Sequence, residues 1–557
     1  MLPRLSIALR RLPRLLGAAG LCAGAASAQY WAPQGPVYGV PQSTAFSQYW
    51  VRTAVTADGS KVGFSFNSGQ EMYARFFDGS GSPLTGNVLC NTIYSAGVQD
   101  EGEIGVATDG RFLVAWSERS GADGEQMGIF GRIFTASGSP LTGGEFQINQ
   151  AWMASQWRPL IASRPAGGWV VAWSGDWDGD PIFRLLDTSG TFLTGDIHVD
   201  TIGNGGQTDT APAVAPDGTM FMVFVDYSGS GVGSGTNLFG RLFDEDGHPL
   251  MPAEYQLTLN TSPGTDFSSF DQREPRVAAD GAGRFIVVWE SAVDAAKSDW
   301  DVFARRFGPA GTPLGDPFQV NTNANGFQNQ ARVVADPDGN FIVTWTDWSG
   351  GTADIHGRRY DVQGPPVGPE FTVNPSLPGN QVRPSLAMDA LGEKVVFCYE
   401  GPGNSTDAFA VNYLTYQPPI NYCTAKLNSQ GCMPQVVASG IPSTSGAAAF
   451  DVGAQSVLNN KNGILFYGLQ TKALAFQGGT LCVQAPVKRT PLQDSGGNPP
   501  PDDCSGVYTY DFNARIQSGA DPALQAGATV YCQYWSRDPA SASGTGLTDG
   551  LCFEIRP

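Results

Sequence analysis

One pattern is written several times along this chain, and it limits the fold more than any other feature. Phe112–Asn149 reads FLVAWSERSGADGEQMGIFGRIFTASGSPLTGGEFQIN. Phe285–Asn321 reads FIVVWESAVDAAKSDWDVFARRFGPAGTPLGDPFQVN, and Phe341–Asn374 reads FIVTWTDWSGGTADIHGRRYDVQGPPVGPEFTVN. Each copy, with the apolar run before it, divides into four short strands. The first is apolar, such as RVAAD around Val277 or EIGVA around Val106. An Asp-Gly turn leads to FIVVW or FLVAW, then to VFARRF, IFGRIF or IHGRRY, and a Gly/Pro turn leads to FQVN, FQIN or FTVN. Runs of β-branched and aromatic residues bounded by Gly, Pro and Asp are the strand-and-turn signal. The high glycine count (71) and low charge (15%) fit many turns between short strands.

The first-strand marker recurs near Val55, Val106, Ile161, Val214, Val277, Val333 and Leu386. The spacing is roughly 50 to 65 residues, the grammar of radially repeated four-stranded sheets. A four-stranded sheet leaves both faces bare, so each copy needs its neighbours. The expected fold is therefore all-β, a seven-bladed β-propeller. The seventh copy lacks its fourth strand before Gln417, while VYGV at Val37–Val40 precedes the first copy and aligns with the outer strand around Thr372. Val37–Val40 is expected to close the last blade and remove its exposed edge. An open solenoid is the alternative. Trp116, Trp173, Trp289 and Trp345 recur at the end of the second strand, and Arg132, Arg184, Arg241, Arg305 and Arg358 in the third, which reads as packing between blades.

From Val37 to Tyr416 the text resembles a repeat found in many large secreted bacterial proteins, with consensus FxVxW, FGxRFD and GxPLGxEFxVN. That group is functionally uncharacterised, so the resemblance implies the repeat fold and little more. The Ser-x-Asp-x-Gly-x-Thr-Trp box of sialidases is absent, and neither the Trp-Asp signature nor the kelch double-glycine pattern recurs from copy to copy.

The N-terminus reads as a leader over residues 1–28. It has Arg4, Arg10, Arg11 and Arg14, then an alanine-rich apolar stretch ending in Ala26-Ser27-Ala28, a secretory cleavage pattern. A lipoprotein site at Cys22 is disfavoured by the bulky Leu21 before it. No later stretch reaches the length of a membrane-spanning helix. A secreted, extracellular or cell-surface monomer is expected. The leader carries four of the 33 basic residues, leaving 29 against 52 acids, a net charge of −23. Such acidity repels phosphate backbones and anionic membranes, so nucleic acid is an unsuitable partner.

The expected domains are a propeller over 29–418 and a C-terminal module over 419–557. In the module the repeat stops and Cys423, Cys432, Cys482, Cys504, Cys532 and Cys552 appear. Six cysteines in a secreted context read as disulfides, with 15 pairings open. Locality favours Cys423–Cys432, Cys482–Cys504 and Cys532–Cys552. Alternating segments such as GILFYG and ATVYCQYW suit a small β-sandwich. The stretches YCTAKLNSQGC, NNKNGILFYG and GGTLCVQAPVKRTPLQDSGG resemble a module that ends many secreted proteins of environmental bacteria. That resemblance implies an accessory, surface-retention or sorting role. Cys90 and Cys398 are expected as buried free thiols.

The chain has three histidines, His198, His248 and His356, each with an ordinary structural reading, and no Gly-x-Ser-x-Gly elbow or phosphate loop. In a four-stranded blade the loops after strands two and four share one face, and these are the long loops here. They are read as carrying Trp152, Trp157, Trp177, Tyr227, Trp300 and Trp348 among many aspartates, a set suited to sugars, cations or a protein partner. Asp176, Asp178 and Asp180 alternate around a glycine as in part of a calcium loop, without the closing glutamate. No other cofactor is expected. The functional expectation is an extracellular protein that binds a glycan or protein on this face. A hydrolase or lyase using loop carboxylates, and a surface adhesion scaffold, are the alternatives.

Overall fold

The computed structural model describes residues 32–33 and 36–556, apart from 43–46, 95–96, 123, 125, 151–154, 176–178, 202–204, 230, 232–234, 260–269, 294–298, 324, 363, 365, 376–377, 402–406, 415–418, 441 and 445–448. The leader read over residues 1–28 lies outside the described residues. The chain forms two compact units, one spanning Gln29–Thr415 and the other holding Tyr416–Pro557.

The first unit is a β-propeller architecture, built from antiparallel sheets whose strands follow one another in sequence order. Seven such sheets occur there among the described residues. Their first strands are Gln48–Val55, Gln99–Val106, Trp157–Ser163, Gln207–Val214, Gln272–Ala279, Gln328–Ala335 and Val382–Met388. Each packs against the next, and Val382–Met388 packs against Gln48–Val55. Six of the seven second strands, such as Phe112–Glu118 and Phe341–Asp347, are buried at every position. Sheets covered on both faces need such continuous apolar runs rather than alternation. Trp116, Trp173, Trp289 and Trp345 are wholly buried at the ends of these strands. Burying a side chain of this size contributes roughly 2–3 kcal/mol.

An arginine ties six of the seven sheets to the one before it. The Arg132, Arg184, Arg241, Arg305 and Arg358 guanidiniums donate to the carbonyls of Leu89, Ile148, Val199, Leu257 and Val320, at 2.6–2.9 Å. Arg75 makes the same bond to Val40 at 2.8 Å. Val40 follows Tyr38–Gly39, which pairs with Phe409 and Ala410 in the sheet of Val382–Leu414. The N-terminal segment therefore supplies an outer strand to the sheet formed by the last repeat.

In the C-terminal unit a six-stranded sheet and a three-stranded sheet contribute Leu465, Val530, Tyr534 and Phe553, and Val436, Val452 and Ala454, to one core. Phe512–Gln517 is the one α-helix among the described residues. The cysteine pairing differs from the local expectation. Among the described residues the bridges are Cys423–Cys482 and Cys432–Cys504, replacing Cys423–Cys432 and Cys482–Cys504. The Tyr422 hydroxyl donates to the Cys482 carbonyl at 2.7 Å, which sets Cys423 beside that strand. Asn428 folds the next stretch into a turn by accepting from the Cys432 N–H at 2.9 Å, and its Nδ2 lies 3.6 Å from Cys504 Sγ. Cys532 is a buried free thiol, so it makes no bridge to Cys552. The strands do pair, but Cys532 sits opposite Leu551 and Cys552 opposite Tyr531. Alternation along a strand sends the two cysteines to opposite faces. Cys90 and Cys398 are buried free thiols.

Candidate functional site

Every first strand begins with the same backbone irregularity. A register shift marks a bulge in each of the seven. At each bulge a residue other than glycine has positive φ: Trp50 (55), Glu101 (54), Arg158 (56), Asp209 (57), Glu274 (51), Gln330 (59) and Arg383 (53). That conformation costs of order 1 kcal/mol per residue. The neighbouring sheets hold it in place. The Trp50 N–H donates to Glu400 Oε1 at 2.7 Å, the Asp209 N–H to Ser174 Oγ at 2.9 Å, and the Arg383 N–H to Gln330 Oε1 at 2.9 Å. Two positions before each bulge residue stands a glutamine: Gln48, Gln99, Gln156, Gln207, Gln272, Gln328 and Gln381. All seven are buried.

The glutamines repeat, whereas the bulge residues do not. Geometry is held constant while chemistry varies, as expected where a scaffold presents a site. Trp50, Arg158, Asp209, Glu274, Gln330 and Arg383 line a cavity of about 290 Å³, together with Arg52, Tyr227, Arg273, Glu290, Asn329 and Arg332. A second cavity of about 170 Å³ is lined by Glu103, Arg276, Arg332 and Ser385, and shares Arg332 with the first.

Charges in this space are paired, with one exception. Arg158 touches Asp209, Glu274 at 2.9 Å and Glu101 at 3.5 Å. Arg273 reaches Glu290 at 2.7 Å, Arg383 reaches Glu400 at 2.7 Å, Arg276 reaches Glu274 at 3.3 Å and Arg52 reaches Glu103 at 3.5 Å. Arg332 has no ion pair among the described residues, and its one hydrogen bond is to the Ala331 carbonyl at 2.9 Å. Burial, then Arg276 and Arg52, pull its pKa well below the usual arginine value. The Arg276 and Arg383 Nε donors are buried without an acceptor.

The carboxylates divide. Burial alone would raise Glu274, but Arg276, Arg158 and Arg332 outweigh it and hold the group at about 2. Asp209 is raised, first by burial and then by the Glu274 charge. Burial pushes Glu290 up to about 7 and raises Glu101. Chemically, the space offers donors for an anion beside two carboxyl groups with divergent proton affinity.

The residues singled out in the sequence are scattered. Trp152, Trp177, Asp176 and Asp178 lie outside the described residues. Tyr227 is an exposed loop residue that lines the larger cavity. Trp348 is exposed on the loop after Phe341–Asp347. Trp157 and Trp300 open strands instead of sitting on loops. Trp300 is 6% exposed, and the Arg273 guanidinium lies 3.7 Å over its ring. Alternating apolar text marks where a strand is strong, not where it starts, so the sequence alone places these strand openings on loops. Asp180 lies with His198 and Asp200, their ligand atoms within 4.8 Å of one another. Burial, then the Asp180 charge, pushes Asp200 up to about 6.

No protein-family model matches the chain, and no curated protein matches it. Among solved structures, the chain resembles a protein of unknown function from Dyadobacter fermentans (11% identity, 69% of this chain and 99% of that one, TM-score 0.42). It also resembles an ulvan lyase bound to a GlcA–Rha3S oligosaccharide (9% identity, 67% and 95%, TM-score 0.48). A third likeness is to an α-L-arabinofuranosidase from Fusarium graminearum (11% identity, 68% and 98%, TM-score 0.43). Similarity this distant assigns neither a substrate nor a reaction to the chain.

Proposed function

We propose that the protein is a secreted monomeric binding protein, a seven-bladed propeller followed by a disulfide-bonded sandwich module. Its ligand is an extracellular glycan carrying carboxylate or sulfate groups, held at the cavity ringed by the bulge residues. The observation that carries this reading is Arg332. Every other guanidinium lining that space has a carboxylate partner, and Arg332 has none among the described residues. A buried cation without a counter-ion is costly, and a charged ligand group relieves it. Tyr227, 52% exposed at the same cavity, offers a ring face for a sugar.

A glycan array probed with the protein tests the reading. Acidic glycans are expected to bind, neutral ones are not, and Arg332→Met is expected to lose the acidic set. Binding of neutral glycans that is indifferent to Arg332→Met would sink it. The second reading, a glycan-cleaving enzyme, is favoured by Asp209 and Glu274, which share one guanidinium nitrogen of Arg158 while their proton affinities diverge. Turnover of array-positive glycans, abolished by Asp209→Asn, would establish it in place of the first.

A further inference from the structure

The repeat is broken at one edge of the third sheet. In four other sheets an asparagine follows the outer strand. Its Oδ1 accepts from a third-strand N–H: Asn91 from Met72 at 3.0 Å, Asn149 from Ile129 at 2.9 Å, Asn321 from Val302 at 2.9 Å and Asn374 from Ile355 at 2.7 Å. In three of these the asparagine Nδ2 donates to the glutamine that opens the next sheet. Asn149 reaches Gln156 Oε1 at 2.9 Å, Asn321 reaches Gln328 at 3.2 Å and Asn374 reaches Gln381 at 3.0 Å. Asn321 and Asn374 also donate to the aspartates near or at the start of their own third strands, Asp301 at 2.6 Å and Asp354 at 2.8 Å.

The third sheet has Asp200 at this position and Asp180 at the head of its third strand. Where those two sheets set an amide N–H against a carboxylate, this one sets two carboxylates together. His198 completes the group, with Nδ1 3.5 Å from Asp180 Oδ2. The corresponding glutamine is Gln207. It is wholly buried, and its Oε1 accepts no hydrogen bond. Its Nε2 donates to Asp226 Oδ1 at 2.9 Å, so turning the amide round would set oxygen against carboxylate. A Cβ built on Gly179, next to Asp180, would meet the Gln207 carbonyl at 3.1 Å.

We propose that this break is a divalent-cation site. The ligands are the Asp180 and Asp200 carboxylates and His198 Nδ1, with Gln207 Oε1 as the fourth acceptor. Two carboxylates neutralise a dication, and an imidazole nitrogen selects Zn²⁺ or Mn²⁺ over calcium, which takes oxygen ligands. Of the three aspartates that suggested calcium in the sequence, this site uses Asp180.

The alternative occupant is a proton, with Asp200 as a neutral acid donating to Gln207. Calorimetry and thermal melts on the EDTA-stripped full chain separate the two. Zn²⁺ or Mn²⁺ is expected to bind at one equivalent with a Kd of about 10 μM or tighter. It is expected to raise Tm, with Ca²⁺ weaker. Asp200→Asn restores the amide of the other sheets, so this variant is expected to melt above the wild type without metal and to ignore added metal. His198→Ala is expected to weaken Zn²⁺ by at least about tenfold. A wild-type Tm indifferent to Zn²⁺ and Mn²⁺ overturns the proposal. So does an Asp200→Asn chain that responds like the wild type, or tighter binding of Ca²⁺ than of Zn²⁺.

Discussion

Arg332 stands where the other first strands carry Arg52, Glu103, Leu160, Ala211, Arg276 and Ser385, three of them uncharged. Three guanidiniums therefore gather in a space whose carboxylates are already paired. Replacing the unpaired one with an apolar side chain of similar length removes a desolvated charge. Arg332→Met is expected to be about 1 kcal/mol more stable than the wild type in low-salt denaturant titrations. Sulfate is expected to stabilise the wild type and not the variant, because an anion bound only by the folded state shifts the equilibrium by mass action. A variant less stable than the wild type, or equally helped by sulfate, would show that Arg332 already has its counter-charge. None of this was legible from the residue itself. An arginine in a strand reads as a packing residue, and the five repeated arginines are that, each bonded to a neighbouring carbonyl.

At the scale of the element, the first strand carries most of what the sequence left hidden. Its apolar end was readable because alternation and β-branching mark it. Its opening was not, since Gln-x-x with a bulge has no periodicity. The one available signal was a glutamine recurring a fixed distance before the apolar marker. The joint between sheets at this level is testable through Glu290, which accepts from Arg273 Nε at 2.7 Å and from the Gln330 N–H. Burial raises it to about 7, with Glu274 adding to the shift and Arg273 opposing it. The folded state thus holds the proton more tightly than the unfolded chain. Glu290's contribution is fully present below about pH 4.5 and is lost as pH rises through 7. Wild-type stability is expected to fall by roughly 3 kcal/mol over that interval from this group alone. Urea midpoints of Glu290→Gln should lack that component, and an unchanged profile would count against a buried protonated Glu290.

The bridges of the C-terminal unit belong to the same scale. Each joins segments far apart in sequence, at separations of 59 and 72 residues. Closing loops of that length restricts the unfolded chain by on the order of 4 kcal/mol each, in the chain-entropy account. A non-reducing peptide map is expected to return Cys423 linked to Cys482 and Cys432 linked to Cys504. Recovery of a Cys423–Cys432 peptide would refute the pairing. Cys432→Ser is expected to lower the unfolding midpoint of this unit markedly.

For the molecule as a whole, the decisive contact is between the chain's N-terminal strand and its last repeat. The Val40 N–H donates to the Ala408 carbonyl at 2.8 Å, and the Tyr38 hydroxyl to Asn412 Oδ1 at 3.1 Å. Val40 itself is wholly buried. Removing residues 29–40 exposes the edge of Ala408–Leu414 and takes the acceptor from Arg75. An open, apolar strand edge recruits other chains. The truncated protein is expected to self-associate in size-exclusion chromatography and to lose a single cooperative melt. A monomer with an unaltered melt would show that this strand does not complete the sheet.

By itself the sequence determined the strands, their grouping in fours and the incomplete last copy, because these depend on interactions between residues close along the chain. Only the tertiary structure decided which side chains converge on one cavity, which cysteines meet, and where Asp200 replaces an amide. Those outcomes join residues tens to hundreds of positions apart. They follow from sheets packing beside one another, a relation that no local pattern encodes.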